Sequence, residues 1–117
     1  YSKVSDWLGS NGIAWAFSDY DSAYAIVFDS KERIMASPTL FHPKFADRRP
    51  EYTEKVRGSG DFAYIINKDR YPESAPAVAK KLKSLGVDFR VKTIEDFCVY
   101  YVLSKRVYPE ELSLKEE

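Results

Sequence analysis

The chain has 117 residues, 44% hydrophobic and 15% aromatic, which suits one folded domain with a real core and argues against disorder. Lys plus Arg and Asp plus Glu are 18 each, so no general field draws the chain to nucleic acid. The single cysteine excludes an internal disulfide, and no apolar run is long enough to span a bilayer.

Residues 2–10 read as a short amphipathic helix, with Val4, Trp7 and Leu8 at i, i+3 and i+4. Asn11-Gly12 stops it, because glycine tolerates the left-handed conformation that ends helices. Residues 13–17, IAWAF, follow as a wholly apolar strand of the kind buried on both faces. Ser18 and Asp21 then form a capping-box-like S-x-x-D. Beyond it Tyr20, Ala23, Tyr24, Val27 and Phe28 repeat at helical spacing, the clearest period in the chain.

Residues 33–37 read as a second strand ended by Pro38, and 38–49 as an irregular stretch. Pro50 suits the first turn of a helix over 50–58, which stops at Gly58-Ser59-Gly60. Residues 61–67 are a third strand. Ser74 is placed to cap a helix over 75–85 whose apolar face holds Ala75, Val78, Ala79, Leu82 and Leu85, with Gly86 as its stop. Residues 87–93 and 97–104 read as strands joined by a tight hairpin. Residues 109–117 read as a polar, frayed tail after a domain over 1–108. The order α-β-α-β-α-β-α-β-β implies a single α/β domain: a mainly parallel sheet of about five strands, helices packed on it, and a C-terminal antiparallel hairpin. The segments WLGSNGIAWAF and LKSLGVDFRV both read helix, glycine, strand, which we take as shared turn chemistry rather than a repeat.

No dinucleotide fingerprint or P-loop is present. Gly58-Ser59-Gly60 follows a helix, whereas a phosphate cradle precedes one, so it reads as a turn. His42, the only histidine, lies between Phe41 and Pro43 with no carboxylate close in sequence to orient it, and reads as a loop residue. Cys98 sits in the run FCVYYVL with no cation or base beside it and reads as a small core residue. Lys80, Lys81 and Lys83 read as a solvated helix face. Neither a metal site nor a cofactor is expected.

Three clusters remain. Asp19, Tyr20 and Asp21, with Tyr24 one turn on, follow the first strand at a carboxyl end, where open α/β sheets bind ligands. Two carboxylates at a helix start would repel phosphate and suit sugar hydroxyls or a cation better. They could equally cap the helix while the tyrosines pack inward. Asp47, Arg48, Arg49, Glu51 and Tyr52 form the second cluster: paired arginines could hold a phosphate or carboxylate, or pair with Asp47, Glu51 or Glu54. Arg70, between Asp69 and Tyr71 after the third strand, is the third. A parallel sheet could gather these loops on one rim as a ligand groove.

The order FSDYDSAYAIVF, RIMASP, RRPEYTEKV, DFAYII and LGVDFRV resembles the soluble C-terminal, extracytoplasmic domain of prokaryotic multi-spanning glycosyltransferases related to protein O-mannosyltransferases and aminoarabinose transferases. The likeness covers roughly residues 3–105. Asp19, Tyr20 and Tyr24 fall on its D-Y-x-x-A-Y pattern, and Arg49, Pro50 and Tyr52 on R-x-P-x-Y; Asp21-Ser22 stand where members often have an aromatic residue. The resemblance implies an accessory, non-catalytic role beside a membrane portion that holds the catalytic carboxylate. It also implies a polyprenyl-phosphate-linked sugar donor, and as partners the transmembrane part of the parent chain and the lipid-linked sugar or acceptor, with no nucleic acid. The start at Tyr1, without an initiator methionine, fits a piece of such a longer chain. The alternatives are an independent small-ligand or partner-binding module, and an enzyme using Asp19 and Asp21 as an acid/base pair, a poor geometry for neighbouring helix-start positions.

Overall fold

A computed structural model describes residues 1–41 and 50–116. The elements run α1 (Ser2–Ser10), β1 (Trp15–Ser18), α2 (Tyr20–Asp29), β2 (Met35–Ser37), α3 (Pro50–Gly58), β3 (Ala63–Asn67), α4 (Ser74–Ser84), β4 (Arg90–Ile94), β5 (Phe97–Tyr101) and α5 (Pro109–Leu112). The strands form one sheet in the order β2-β1-β3-β5-β4. β1 is parallel to β2 and β3, while β5 is antiparallel to β3 and β4. The α/β class, the five strands and the C-terminal hairpin are those expected from the sequence.

Alternation along the strands sends side chains to two cores. On one face Val4 and Leu8 of α1 and Ala23, Ile26 and Val27 of α2 pack on Ala16, Ala36, Ala63, Ile65 and Val99. On the other, Val78 and Leu82 of α4, Val56 of α3 and Leu112 of α5 cover Phe17, Tyr64, Ile66 and Tyr100. β3 is buried on both sides, as its apolar run requires. β4 is an edge strand exposed along most of its length, with Arg90 and Lys92 guarding its unpaired backbone.

The two helix–glycine–strand units share one device. Gly12 (φ +69°) and Gly86 (φ +73°) each take the left-handed conformation after a helix. In the first, Ile13 N–H donates to Leu8 O at 2.9 Å and Gly12 N–H to Gly9 O at 3.2 Å. In the second, Val87 N–H donates to Leu82 O and Gly86 N–H to Lys83 O, both at 3.0 Å. These are Schellman closures, which satisfy helix-end carbonyls and turn the chain back onto the sheet.

Several local expectations shift. Ser18 is the last residue of β1, and Asp19 rather than Ser18 caps α2. Ser74 is the first residue of α4 rather than its cap, and its hydroxyl donates to the Lys115 carbonyl at 3.1 Å. β4 starts at Arg90 because residues 87–89 complete the helix closure and pair Asp88 with Ser104. β5 stops at Tyr101 because Val102 turns to φ +52°.

The C-terminal residues, expected as a polar tail, fold back onto the domain. Leu112 and Leu114 are buried in the core beneath α4. Arg57 grips Glu110 through both carboxylate oxygens at 2.9 and 2.7 Å and lies 4.3 Å over the Tyr108 ring. The Tyr64 hydroxyl donates to the Val107 carbonyl, and Tyr71 donates to Glu116 at 3.2 Å. Two leucines in a charged segment are enough to seat it once polar anchors fix its path. Among the described residues no helix is long and apolar enough to cross a membrane.

Candidate functional site

The carboxyl ends of β1 and β3 lie side by side, Ser18 opposite Ile65, and the loops that follow them meet. Asp19 leaves β1 in an extended conformation (φ −64°, ψ 158°) and is 1% exposed. Its Oδ2 accepts the Ser22 N–H at 3.2 Å, capping α2, and its Oδ1 accepts the Asn67 N–H at 3.1 Å. Burial is the larger influence and raises its pKa above the ordinary 3.8, while the hydrogen bonds pull the other way. Both carboxylate oxygens are thus committed to backbone, and Asp19 is a clamp between the two loops.

Asp21 points outward and pairs with the Arg70 guanidinium. Arg70 is set by its own turn: Asn67 Oδ1 accepts the Asp69 and Arg70 N–H groups at 3.0 and 3.1 Å, an Asx-type closure. The guanidinium also lies 5.7 Å from the centroid of the Tyr71 ring. Two of the three loops expected on one rim therefore do converge there. With Asp19 turned inward and Asp21 outward, the two carboxylates do not address one substrate.

The tyrosines form a second feature, continuous with the first. Tyr20 and Tyr24 meet edge to face at 4.9 Å, and Phe28 continues the line one turn on, 87% exposed. Spacing of i, i+4, i+8 puts the three on one stripe of α2. Tyr24 and Phe28 then line an open groove of ≈ 750 Å³ with Val27, Lys31, Glu32 and Tyr52. Its floor is fixed by Tyr52, whose hydroxyl donates to Glu32 at 2.8 Å. Lys31 and Glu32 (φ +53° and +64°) make the sharp turn out of α2, and the Ser30 hydroxyl accepts the Ile34 N–H at 3.1 Å to close it.

The helical period read over α2 holds, while the alternative in which its tyrosines pack inward does not. Ala23 and Val27 point inward together with Ser22 and Ile26, whereas Tyr20, half-buried Tyr24 and Phe28 lie toward solvent. The cause is the sheet beneath: Ala16, Ala36 and Ala63 let α2 approach closely, and small or branched residues fill that gap where a tyrosine ring would not. Asn67 and Phe28 were not read as site residues from the sequence. An Asn ending an apolar strand before Lys-Asp was the available signal for the first, and its place on the tyrosine stripe for the second.

Arg48, Arg49, Asp47 and His42 lie outside the described residues. Gly58-Ser59-Gly60 is a turn, with the Ser59 hydroxyl donating to Val56 O at 2.6 Å. Lys80, Lys81 and Lys83 are on the solvent side of α4, and Cys98 is half-buried in β5. Among the described residues no group of three or more His, Cys, Asp or Glu side chains could hold a metal ion. Compared with known proteins, the chain matches no family model, no curated protein and no solved structure.

Proposed function

We propose that this domain is a non-catalytic accessory part of a membrane-embedded glycosyltransferase that uses a polyprenyl-phosphate-linked sugar, standing at the extracytoplasmic face and positioning acceptor or donor. The observation that carries this reading is the solvent-side stripe of Tyr20, half-buried Tyr24 and Phe28, running from the Asp21–Arg70 pair to the Tyr52 groove. Aromatic faces exposed to water stack on the C–H faces of a sugar ring, and a carboxylate beside a guanidinium offers acceptors and donors to its hydroxyls. The likeness of residues 3–105 to extracytoplasmic domains of such enzymes supports the same reading. In it the bond-making step belongs to the membrane portion, and this domain supplies orientation.

The test is a nuclear magnetic resonance titration with mannose, with 4-amino-4-deoxyarabinose, with short-chain polyprenyl phosphates and with nucleotides. Shifts confined to Tyr20, Asp21, Tyr24, Phe28 and Arg70 with the sugars or the lipid-linked sugar are expected. A response to nucleotides alone would reject the accessory role and leave an independent small-ligand module.

A further inference from the structure

At the opposite end of the sheet from Asp19, the starts of β1, β3 and β4 meet the end of β5. Ala16 pairs with Ala63 there, and Arg90 pairs with Tyr101. A groove of ≈ 480 Å³ opens across these strand ends, lined by Trp15, Asp61, Arg90, Tyr101 and Val102 among others. That volume is within the range of small-molecule sites. A second recess of ≈ 190 Å³ shares Asp61, Phe62, Val102 and Leu103 with it and adds Lys105 and Arg106.

The electrostatics are lopsided for a chain with no net charge. Arg90, Lys105 and Arg106 face this pair of recesses against one lining carboxylate, Asp61. All three cations are exposed, and none makes an ion pair among the described residues. Cations clustered in a concave surface concentrate field and draw anions.

The geometry is also held in place. Val102 sits at φ +52° and is 62% exposed, a conformation that a β-branched residue adopts only under constraint. Two residues on, a pair of hydrogen bonds pins the chain: Ser104 N–H donates to Asp88 O at 2.9 Å, and Asp88 N–H donates to the Ser104 hydroxyl at 2.7 Å. The loop carrying Lys105 and Arg106 is thereby tied to the segment that leads into Arg90. A strained residue held beside a charged recess, with half-buried Trp15 and Tyr101 as walls, is the arrangement of a preorganised ligand clamp.

We propose that this groove binds a phosphate or diphosphate ester, with Arg90, Lys105 and Arg106 on the anion, its body against Trp15 and Tyr101, and Asp61 accepting from a ligand hydroxyl. The site is separate from the α2 stripe and does not depend on the function proposed for it. The phosphate can be that of a soluble ester or of a lipid headgroup, and the two sources separate experimentally.

Inorganic pyrophosphate titrated at low ionic strength into the full chain is expected to give saturable amide shifts at Arg90 and at residues 102–106. Lys105→Gln combined with Arg106→Gln is expected to weaken binding by about tenfold or more, the scale of one lost charge-assisted contact. Arg90→Gln alone serves as an independent variant should the double one lose its native spectrum. Lys80→Gln with Lys81→Gln is expected to bind as the parent does. Sedimentation with phosphatidylglycerol vesicles assigns a headgroup source if the chain binds them more tightly than pyrophosphate and loses that binding in the groove variants. No saturable shift with pyrophosphate and no vesicle binding would overturn the proposal, as would equal weakening by the Lys80/Lys81 substitutions, or an unchanged affinity in both groove variants.

Discussion

The Asp19 carboxylate accepts the backbone N–H of Asn67 at 3.1 Å, across 48 residues of chain, while its other oxygen caps α2 through Ser22. One side chain thus fixes the start of α2 and the end of β3 together. It does so next to Asp21 and Arg70, whose pairing bridges the same two loops at the surface. The exposed pair is positioned by the buried clamp: Asn67 gives its N–H to Asp19 and holds the Arg70 N–H with its own side chain.

Asp19→Ala leaves two N–H groups without their acceptor in a buried setting. Lost caps cost about 0.5–2 kcal/mol, and an orphaned buried donor about 1–3 kcal/mol. Removing a buried charge returns part of that, so a net loss of about 2–3 kcal/mol is expected in urea unfolding. Asp19→Asn retains one acceptor and should fall between the two. A loss below about 0.5 kcal/mol for alanine would show that the loops do not depend on the clamp.

The same residue sets a pH dependence whose sign is fixed by burial. Its folded pKa lies above 3.8, so between 3.8 and the folded value the native state binds more protons than the unfolded one. The stability this contributes is complete below pH 3.8 and is lost as pH rises through the folded pKa. A carbon-13 carboxyl titration should place the Asp19 midpoint above 3.8. A midpoint at or below it would mean that the Ser22 and Asn67 hydrogen bonds outweigh desolvation.

Local chemistry was what the sequence made readable. Gly12 and Gly86 announced two helix closures, Pro50 a helix start, and the short Ile94-to-Phe97 link an antiparallel pair. Strand polarity allowed the Asp21 and Arg70 loops to share a rim, and the pairing of β1 with β3 is what brings them together. What failed needed tertiary information. Ser18 and Asp19 were both able to cap α2, and only the neighbouring β3 end selects Asp19. The inward face of α2 was set by alanines on three different strands. The burial of Leu112 and Leu114 depends on Arg57, Tyr64 and Tyr71, which lie far away in sequence.

Tyr64 tests how firmly the C-terminal segment is seated. Its buried hydroxyl donates to the Val107 carbonyl, and burial, followed by the charges of Glu111 and Glu110, pushes its pKa far up. Tyr64→Phe keeps the ring and orphans that carbonyl, so a loss of about 1–2 kcal/mol is expected. Leu112→Ala should cost more, about 2–4 kcal/mol, because it opens a cavity in the core. If hydrogen exchange at residues 107–116 were no faster in Tyr64→Phe, the contact would not be what holds the segment.

Alkaline titration offers a separate check on the core. Tyr100, whose hydroxyl donates to the Ala75 carbonyl at 2.5 Å, is pushed up to about 12, chiefly by burial and then by Cys98. A raised folded pKa means that its contribution is fully present below pH 10.0 and is lost as pH rises toward 12. Ultraviolet titration of the phenolate band should therefore show a step for Tyr100 well above the ordinary 10.0. In Tyr100→Phe that step should disappear, while the still later ionisation of Tyr64 remains.

Phe28 separates a binding surface from a structural one. It is 87% exposed, so Phe28→Ala is expected to change stability by no more than about 0.5 kcal/mol. A ring held in water is expected to matter only when something covers it. Arg70→Gln removes an exposed pair with Asp21, and such pairs contribute little to folding. Both variants should therefore unfold like the parent yet lose the sugar-induced shifts along Tyr20 and Tyr24, Phe28→Ala through stacking and Arg70→Gln through hydroxyl contacts. The ordering matters more than either loss alone. If Asp19→Ala abolishes sugar binding only in proportion to its unfolded fraction, while Phe28→Ala abolishes it in a fully folded domain, the contact belongs to the stripe and the clamp merely shapes it. If Phe28→Ala binds sugar as the parent does, the stripe has no part in recognition.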